Sequence, residues 1–465
     1  MVVIGLEIHT ALATKSKLFC NCSTDITKAE PNTVCCPICC GFPGSKPMVN
    51  KKAIEFGIMV AKALNCRINQ EFFFSRKSYF YPDMPKNYQI SQFEIPLAND
   101  GYLEVMDKKI RIRRIQFEED PGKLIHVGGD ITSAQYVLVD YNRSGIPLLE
   151  IVTEPDFTST KEVREFLRKL SSILEHLEVY DPYREGGLRV DANISIEGGE
   201  RVELKNVTGF ANVEKALNYE IVRQSNLLRM GRKVERETRH FDADTGMTAT
   251  LRRKEFEEDY GFILDPDLTM IELDTEWVKE LEKKMPELPD QRIGRFVKEY
   301  RIPERDAKVI VYVDKALADF FEACCKLYRK PKEVARWVVT DLLKCLNWND
   351  ITIRESKVRP ETFVELLKLI EKEEITERLA KEIIKEYVPT GKSPKEIIKE
   401  KKLGKIAGKD LEKIVEDVLK ENEKAVEEYR SGREKALQFL IGQVLRKTEA
   451  RADPILVGKL IKKMI

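Results

Sequence analysis

The sequence predicts an α+β protein: an N-terminal mixed-sheet domain with a cysteine knuckle, then an all-α helical domain, then a small helical tail. Three observations predict it. Period-two alternation and short apolar runs recur as far as Glu287, two cysteine pairs share one early loop, and beyond Pro289 the apolar spacing becomes helical.

Length and composition narrow the class. A chain of 465 residues holds two to four domains. Its 79 basic and 78 acidic side chains leave a formal net charge of +1, so no global field marks a nucleic-acid binder, and any such surface must be local. Hydrophobic residues make up 42% and charged residues 34%, a soluble composition. The first residues lack a basic n-region followed by a long apolar stretch, and no run of about 18 apolar residues occurs. Cytoplasmic residence and no membrane partner are expected.

The first strand carries the first anomaly. From Val2 to Leu12, Ile4, Leu6 and Ile8 point one way, and Val3, Gly5, Glu7 and His9 the other. A carboxylate and an imidazole so placed need a charge, a metal or water to receive them. Six of the ten cysteines follow closely: Cys20, Cys22, Cys35, Cys36, Cys39 and Cys40. The pairs Cys20-Asn-Cys22 and Cys36-Pro-Ile-Cys39 have the spacing of a structural Zn²⁺ site, whose four protein ligands leave no position for catalysis. Buried free thiols are the alternative, and Cys35 and Cys40 leave the ligand choice open. Gly41-Phe-Pro-Gly44 turns the chain, and Asn50 caps a helix with Ile54, Ile58, Ala61 and Leu64 on one face. The stretch Ser75–Gln92 interleaves basic, aromatic and amide side chains around two prolines, which suits gripping a nucleic acid or anchoring a surface loop.

Strand signals return from Tyr102 to Glu119 and from Val137 to Thr153. Ile115, Phe117 and Glu119 share one face, Gln116 and Glu118 the other, and Glu150 interrupts the apolar run Ile146–Val152. A single such glutamate is ordinarily an edge or salt-bridged residue. Repeated over several strands, Glu7, His9, one or both of Glu118 and Glu119, and Glu150 make a set able to converge on one hard cation, with Mg²⁺ favoured by the oxygen-rich shell. Ser159 and Glu162 form a capping box for a helix whose Val163, Phe166, Leu167, Leu170, Ile173, Leu174 and Leu177 make one apolar face. Next, Leu188–Ile196 alternates, setting Arg189, Asp191, Asn193 and Ser195 on a polar face that Glu203 and Lys205 extend. Such a face holds phosphate and metal, or is solvated sheet surface.

Pro286, Pro289 and Gly294 mark a boundary, after which Phe363, Leu366, Leu367 and Ile370 show helical spacing. A looser boundary runs from Pro389 through Gly404 and Gly408. Beyond it come two amphipathic helices, one with Leu411, Ile414, Val415 and Val418, the other with Ala436, Leu437, Leu440, Val444 and Leu445. The expected domains are 1–288, 289–404 and 405–465. Arg433, Lys435, Arg446, Lys447, Arg451, Lys459, Lys462 and Lys463 make the tail the best candidate for an RNA-backbone contact, against a plain solvated face. There is no Walker loop, dinucleotide fingerprint, nucleophile elbow, HExxH or Ser/Gly-rich amidase signature, so glutamine hydrolysis is not expected of this chain.

Taken together, Gly5-Leu-Glu-Ile-His9, Cys36-Pro-Ile-Cys-Cys-Gly-Phe-Pro-Gly44, Tyr79-Phe-Tyr-Pro-Asp83, Tyr88-Gln-Ile-Ser-Gln92, Glu118-Glu-Asp-Pro-Gly-Lys123, Pro147–Asp156 and Arg189-Val-Asp-Ala-Asn193 resemble the B subunits of aspartyl/glutamyl-tRNA amidotransferases. Ala425–Leu437 and Gly442-Gln-Val444 are similar to that family's YqeY-like tail domain. The resemblance runs the length of the chain. It implies a cradle or kinase-like catalytic domain that phosphorylates the side-chain carboxylate of Glu on tRNA(Gln) or Asp on tRNA(Asn) with ATP. Ammonia made from glutamine then displaces the phosphate. It also implies Mg²⁺ and a structural Zn²⁺. The implied partners are an amidase-type glutaminase (the A subunit), a small protein (the C subunit) and mischarged tRNA.

By position the resemblance gives Glu7, His9 and Glu150 catalytic roles. It sets Glu7, His9, Glu118, Glu119 and Glu150 at the magnesium and ammonia-channel mouth, and Cys20, Cys22, Cys36 and Cys39 on zinc. Arg189, Asp191, Asn193 and Lys205 fall on nucleotide-facing strands, and Lys77, Tyr81 and Lys86 near the tRNA acceptor end. The helical region and tail, with Arg433, Arg446, Lys447 and Arg451, would carry tRNA. The sequence departs from the family pattern at Tyr183-Arg184, at His240 and at Gly261–Leu264, all near the implied kinase pocket. Two other readings are a non-catalytic, tRNA-binding scaffold and the archaeal-type tRNA(Gln)-specific paralogue. The latter carries an inserted synthetase-like domain for which this chain has no room.

Overall fold

Apolar Ile4, Leu6 and Ile8 give Val2–Ala11 (β1) a fully buried face, and the strand lies inside a nine-stranded sheet. The computed structural model describes residues 1–128, 134–184, 186–253, 260–401, 408–448, 452 and 454–465. After the cysteine loop, Asn50 accepts hydrogen bonds from the amides of Lys52 and Ala53 and so starts α1 (Lys51–Ala63). Short strands follow: β2 (Arg67–Ile68), β3 (Glu71–Phe72), β4 (Ser75–Ser78) and β5 (Tyr88–Ser91). Longer ones come next: β6 (Ala98–Val105), β7 (Lys108–Glu119), the hairpin β8 (Lys123–Val127) and β9 (Tyr136–Asp140), and β10 (Pro147–Thr153). The unit is completed by α2 (Thr160–His176), β11 (Leu188–Ile196), β12 (Val202–Val207), α3 (Phe210–Arg229), β13 (Glu237–Asp242), β14 (Met247–Arg253), β15 (Ile263–Leu264), β16 (Ile271–Glu272) and α4 (Thr275–Lys283).

The sheet runs β14-β13-β12-β11-β1-β10-β7-β6-β2. Only β12 and β13 pair in parallel, and α3 makes the crossover that parallel neighbours need. The apolar face packs on α1, α2 and α3. The opposite face meets the small sheet β15-β4-β5, which approaches it over β7. The small sheet covers this face over β7, while on β11 Asp191 is buried and Arg189, Asn193 and Ser195 are half-buried.

At the start of α2, Ser159 Oγ accepts from the Glu162 amide at 3.3 Å, but the Glu162 carboxylate reaches back to the Thr158 amide at 2.8 Å and to Lys108 at 3.2 Å. The expected box is thus half formed, because a lysine on β7 and one further residue of chain offer Glu162 better partners.

Met1–Pro289 forms one compact unit and Asp290–Ile465 another. The second is all helical among the described residues. One of its apolar clusters is built around Phe321, Trp337, Phe363 and Tyr387, and another around Leu411, Val415, Leu440 and Val444. The stretch after Pro389, expected as a loose boundary, is instead ordered as a helix junction. Helix Glu377–Thr390 ends on left-handed Gly391, and Ser393 with Glu396 makes a complete capping box that opens helix Pro394–Glu400. The expected limit at residues 404/405 lies outside the described residues.

Packing between α1 and the sheet has no slack at Gly57. A β-carbon there would stand 2.4 Å from the Phe117 ring and 2.7 Å from Leu97. We expect Gly57→Ala to destabilise the N-terminal unit by about 1–3 kcal/mol through overpacking, read as a lower first transition in calorimetric unfolding.

Candidate active site

Strand register decides which polar side chains meet. His9 lies opposite Glu150 on β10 and Arg189 on β11, while Glu7 lies opposite Val152 and Asp191. Farther out, Glu150 faces Gln116, Asn193 faces Glu203, and Glu203 faces Thr238. A bulge between Val190 and Ala192 turns Asp191 so that its Oδ1 accepts the Asn206 amide at 2.7 Å.

The result is two acidic clusters. In the first, His9, Glu118 and Glu150 each bring a ligand atom within 4.8 Å of the others. His9 Nδ1 stands 3.6 Å from Glu118, Ser91 donates to Glu118 at 2.9 Å, and Gln116 donates to Glu150 at 2.5 Å. Burial pushes Glu118 up, but Lys77, His9 and the Ser91 hydroxyl outweigh it, and its carboxyl ends below the ordinary range. Glu150, desolvated and facing both Glu118 and Glu7, is pushed well above it. One carboxylate of the pair is held ionised and the other takes the proton.

In the second cluster Glu7, Asp191 and Glu203 meet within the same 4.8 Å limit. Lys205 bridges two of them, 2.7 Å from Asp191 and 3.3 Å from Glu203. Asn193 donates to Glu7 at 3.0 Å, and Thr238 donates to Glu203 at 3.1 Å. Burial disfavours the Lys205 charge, yet Asp191, Glu203 and Glu7 together raise its pKa well above the usual lysine value.

Both clusters border one cavity of about 140 Å³, lined also by Lys77, Arg114, Tyr260 and Phe262. Two buried polar atoms in its wall, Arg114 Nε and Gln116 Oε1, have no hydrogen-bond partner among the described residues. An orphaned guanidinium nitrogen and amide oxygen beside carboxylates mark a place for a polar ligand. A second cleft of about 240 Å³ continues along the same sheet face and shares Glu7; Gly5, Asn193, Ser195 and Arg201 are in its lining. The small sheet forms the roof. Lys77 lies 4.7 Å from the Tyr260 ring centre, Phe93 stacks on Phe262 at 4.1 Å, and Arg76 ties β4 to Asp265 at 2.8 Å.

The structure separates residues that the sequence left together. Glu119 points away from Glu118, is buried in an ion pair with Lys86, and accepts the Ile90 amide at 2.8 Å. Glu119 is in neither acidic cluster, and buried Lys86 is not a surface cation for RNA. Glu7 joins Asp191 and Glu203 rather than His9 and Glu150, so the five expected magnesium ligands do not share one coordination sphere. Lys77 points into the cavity, whereas Tyr81 is 45% exposed. Arg189 pairs with Asp120 at 2.9 Å, outside both clusters.

Sequence reasoning missed Arg114, Gln116, Thr238 and Tyr260 as site residues, and named Glu203 and Phe262 only as part of a polar face and of a segment near the pocket. Strand parity carried a signal for Arg114 and Gln116, which alternate with Ile115 and Phe117. Of the departures, Arg184 donates to the Thr24 carbonyl at 3.1 Å, and burial lowers its pKa. His240 is exposed, and Glu185 and Asp259 lie outside the described residues.

Known proteins share this architecture. Residues 2–279 match the family described as the GatB/GatE catalytic domain, and residues 319–465 match the family described as the GatB domain. Proteins named as the B subunit of aspartyl/glutamyl-tRNA(Asn/Gln) amidotransferase match end to end. That of Saccharolobus solfataricus is 48% identical over all of this chain and 99% of its own length, and that of Thermotoga petrophila 46% over all of this chain and 98% of its own. The chain belongs to the amidotransferase B-subunit family. It is therefore a subunit of an amidotransferase, a ligase-type enzyme.

In this GatB-family chain the cysteine loop gathers Cys20, Cys22, Cys36 and Cys39 with every Sγ within 4.8 Å of the others. A tetrahedral ion with bonds of about 2.3 Å needs sulfurs roughly 3.8 Å apart, and Cys36 and Cys39 already stand at 3.9 Å. Cys35 and Cys40 are outside the group. Cys39, chiefly through the Cys20 hydrogen bond, is pushed down to about 4, while burial first and Cys36 next push Cys22 up to about 11. These four residues fit a metal. In the tail, Arg433, Arg446 and Lys447 are exposed, with Arg433 3.4 Å from Glu428 and Lys447 2.6 Å from Glu421. Arg451 is outside the described residues. Among the described residues no helix is long and apolar enough to cross a membrane.

The Lys86–Glu119 pair gives a sharp test, since both side chains are buried. Lys86→Met should cost about 3–5 kcal/mol by stranding a buried carboxylate, measured by denaturant unfolding. Adding Glu119→Gln should recover most of that loss.

Proposed function

We infer that this chain carries out the ATP-dependent half of the amidotransferase reaction on a mischarged tRNA, Glu-tRNA(Gln), Asp-tRNA(Asn) or both. One observation carries the reading: two acidic clusters and the cations Lys77, Arg114 and Lys205 border a single cavity. A carboxylate is a poor acyl donor, and phosphorylation supplies its leaving group. The aminoacyl carboxylate oxygen attacks the γ-phosphorus of ATP, the bond to ADP breaks, and ADP leaves. Ammonia nitrogen then attacks the acyl carbon, the carbon–oxygen bond to phosphate breaks, and inorganic phosphate departs.

The chain's own residues divide this work. Arg114, Lys77 and Lys205 place positive charge where phosphoryl oxygens gather. Glu118, held ionised beside Lys77 and His9, accepts the proton that ammonia gives up. Glu150, which holds its proton more tightly than an ordinary carboxyl in the metal-free protein, would give it up to ligate a metal held by the first cluster. Magnesium, when held by either acidic cluster, neutralises phosphoryl charge. The first cavity has room for the reacting groups, and the nucleotide extends into the neighbouring cleft by Glu7, Asn193, Ser195 and Arg201.

Ammonia comes from a separate glutaminase of the amidase type, joined through a small third protein, in the cytoplasm. Arg433, Arg446, Lys447 and Arg451 contribute to tRNA binding, together with exposed Tyr81. The knuckle cysteines hold a structural zinc.

Reconstitution with the two partner proteins tests this. Glu7→Gln and Glu150→Gln should each cut ATP turnover stimulated by the mischarged tRNA by about 100-fold or more, with tRNA affinity unchanged. In a Mn²⁺ titration read by EPR, each variant should lose one of two bound ions. Intact tRNA binding with no stimulated ATP turnover in the wild type would instead establish a scaffold.

A further inference from the structure

Lys17 is the most buried cation in the cysteine region. Its side chain is 0% exposed, and it ranks with Trp337 and Tyr387 among the largest fully buried side chains. Its ammonium donates to the Val34 carbonyl at 2.8 Å and lies 3.6 Å from Cys39 Sγ. No carboxylate ion-pairs with it among the described residues. A buried ammonium without a counter-charge is costly, and one carbonyl does not offset that cost.

The surroundings are built to keep it there. The Lys17 amide donates to the Cys22 carbonyl at 3.0 Å, and Leu18 donates to Gly145 at 2.8 Å. Ser144 donates to the Cys39 carbonyl at 3.3 Å. At Gly145, in the left-handed region with φ of 85°, a β-carbon would stand 3.5 Å from the Lys17 stem and 3.4 Å from Cys39 Cβ. Cys39 Sγ also accepts the Cys36 amide at 3.1 Å. Cys39 thus receives two N–H donors from outside the thiol group, and one of them is a full positive charge.

We propose that Lys17 is the charge-compensating partner of a thiolate-bound zinc ion, holding Cys39 as thiolate through an N–H···S hydrogen bond. A divalent ion with four thiolates carries two net negative charges, here at a site where Cys20 and Cys39 are buried and Cys22 and Cys36 half-buried. One ammonium against one sulfur halves that charge, and the sulfur gives Lys17 a negative partner that no carboxylate supplies among the described residues. Partners of metal ligands orient the ligand and tune its basicity. The inference rests on the reading of the knuckle as a zinc site, and it makes Lys17 a positioning residue rather than a ligand.

Lys17→Met keeps the length and apolar stem and removes the charge. In the full-length chain, chelator competition should show zinc held about 10–100-fold more weakly than by wild type. The variant should lower the melting temperature of the zinc-loaded protein by more than that of the zinc-stripped protein, because the loaded site carries the larger negative charge for Lys17 to offset. A purely structural tie to Val34 would lower both equally. Unchanged zinc affinity in the folded variant, or an equal loss in both forms, overturns the proposal. Should the variant not fold, ¹⁵N-lysine spectra of the wild type decide: the solvent-shielded Lys17 ammonium signal shifts on zinc loading if the proposal holds, and stays if it fails. A wild type that retains no zinc overturns the knuckle reading itself, whereas zinc kept equally by wild type and Lys17→Met overturns the Lys17 inference alone.

Discussion

Charge balance on one buried sheet face governs this molecule. Glu7, Glu118, Glu150 and Glu203 rise from neighbouring strands to one cavity, with Asp191 beside Glu7 and Glu203, and unpaired carboxylates are expensive there. Three devices hold them. Lys205 sits between Asp191 and Glu203, Lys77 descends from the roof, and burial first, then Glu118 and Glu7, push the Glu150 carboxyl well above its ordinary range. The balance is incomplete in the protein alone: Arg114 Nε and Gln116 Oε1 stay unmatched.

The rest of the N-terminal unit serves that face. Three helices bury the reverse of the sheet, so the strands cannot slip without exposing Ile4, Phe117, Ile151 and Ile194. The small sheet β15-β4-β5 closes the polar side, pinned by Arg76 to Asp265 and by Ser91 to Glu118. The knuckle is stapled to the turn that leads into β10, the strand that carries Glu150. The cysteine knuckle and the acidic sheet face are therefore mechanically joined through Ser144 and Gly145.

Much of this was legible in the residues. Alternation in β1, β7 and β11 named the polar faces, and the cysteine spacing singled out the four thiols that the structure brings together. Glu118 and Glu119 show the limit. Adjacent residues of one strand point to opposite faces, so both could never serve one site, but parity alone does not say which face holds the acids. The Lys86–Glu119 pair was invisible because its partners lie on strand and loop segments with no local signal linking them. At Glu162 a capping pattern was outbid by Lys108, a residue far away in sequence.

The sequence by itself determined the two faces of each strand, the knuckle ligand pairs, the change from sheet to helix near Pro289 and membership of the amidotransferase B-subunit family, because these depend on local periodicity, spacing and motif order. Only the tertiary structure decided that Glu7 belongs with Asp191 and Glu203 while His9 belongs with Glu118 and Glu150. That division follows from lateral strand order and register, β11-β1-β10-β7, with a bulge at Asp191. Lateral order is set by packing across the whole sheet, a long-range property that no single segment encodes.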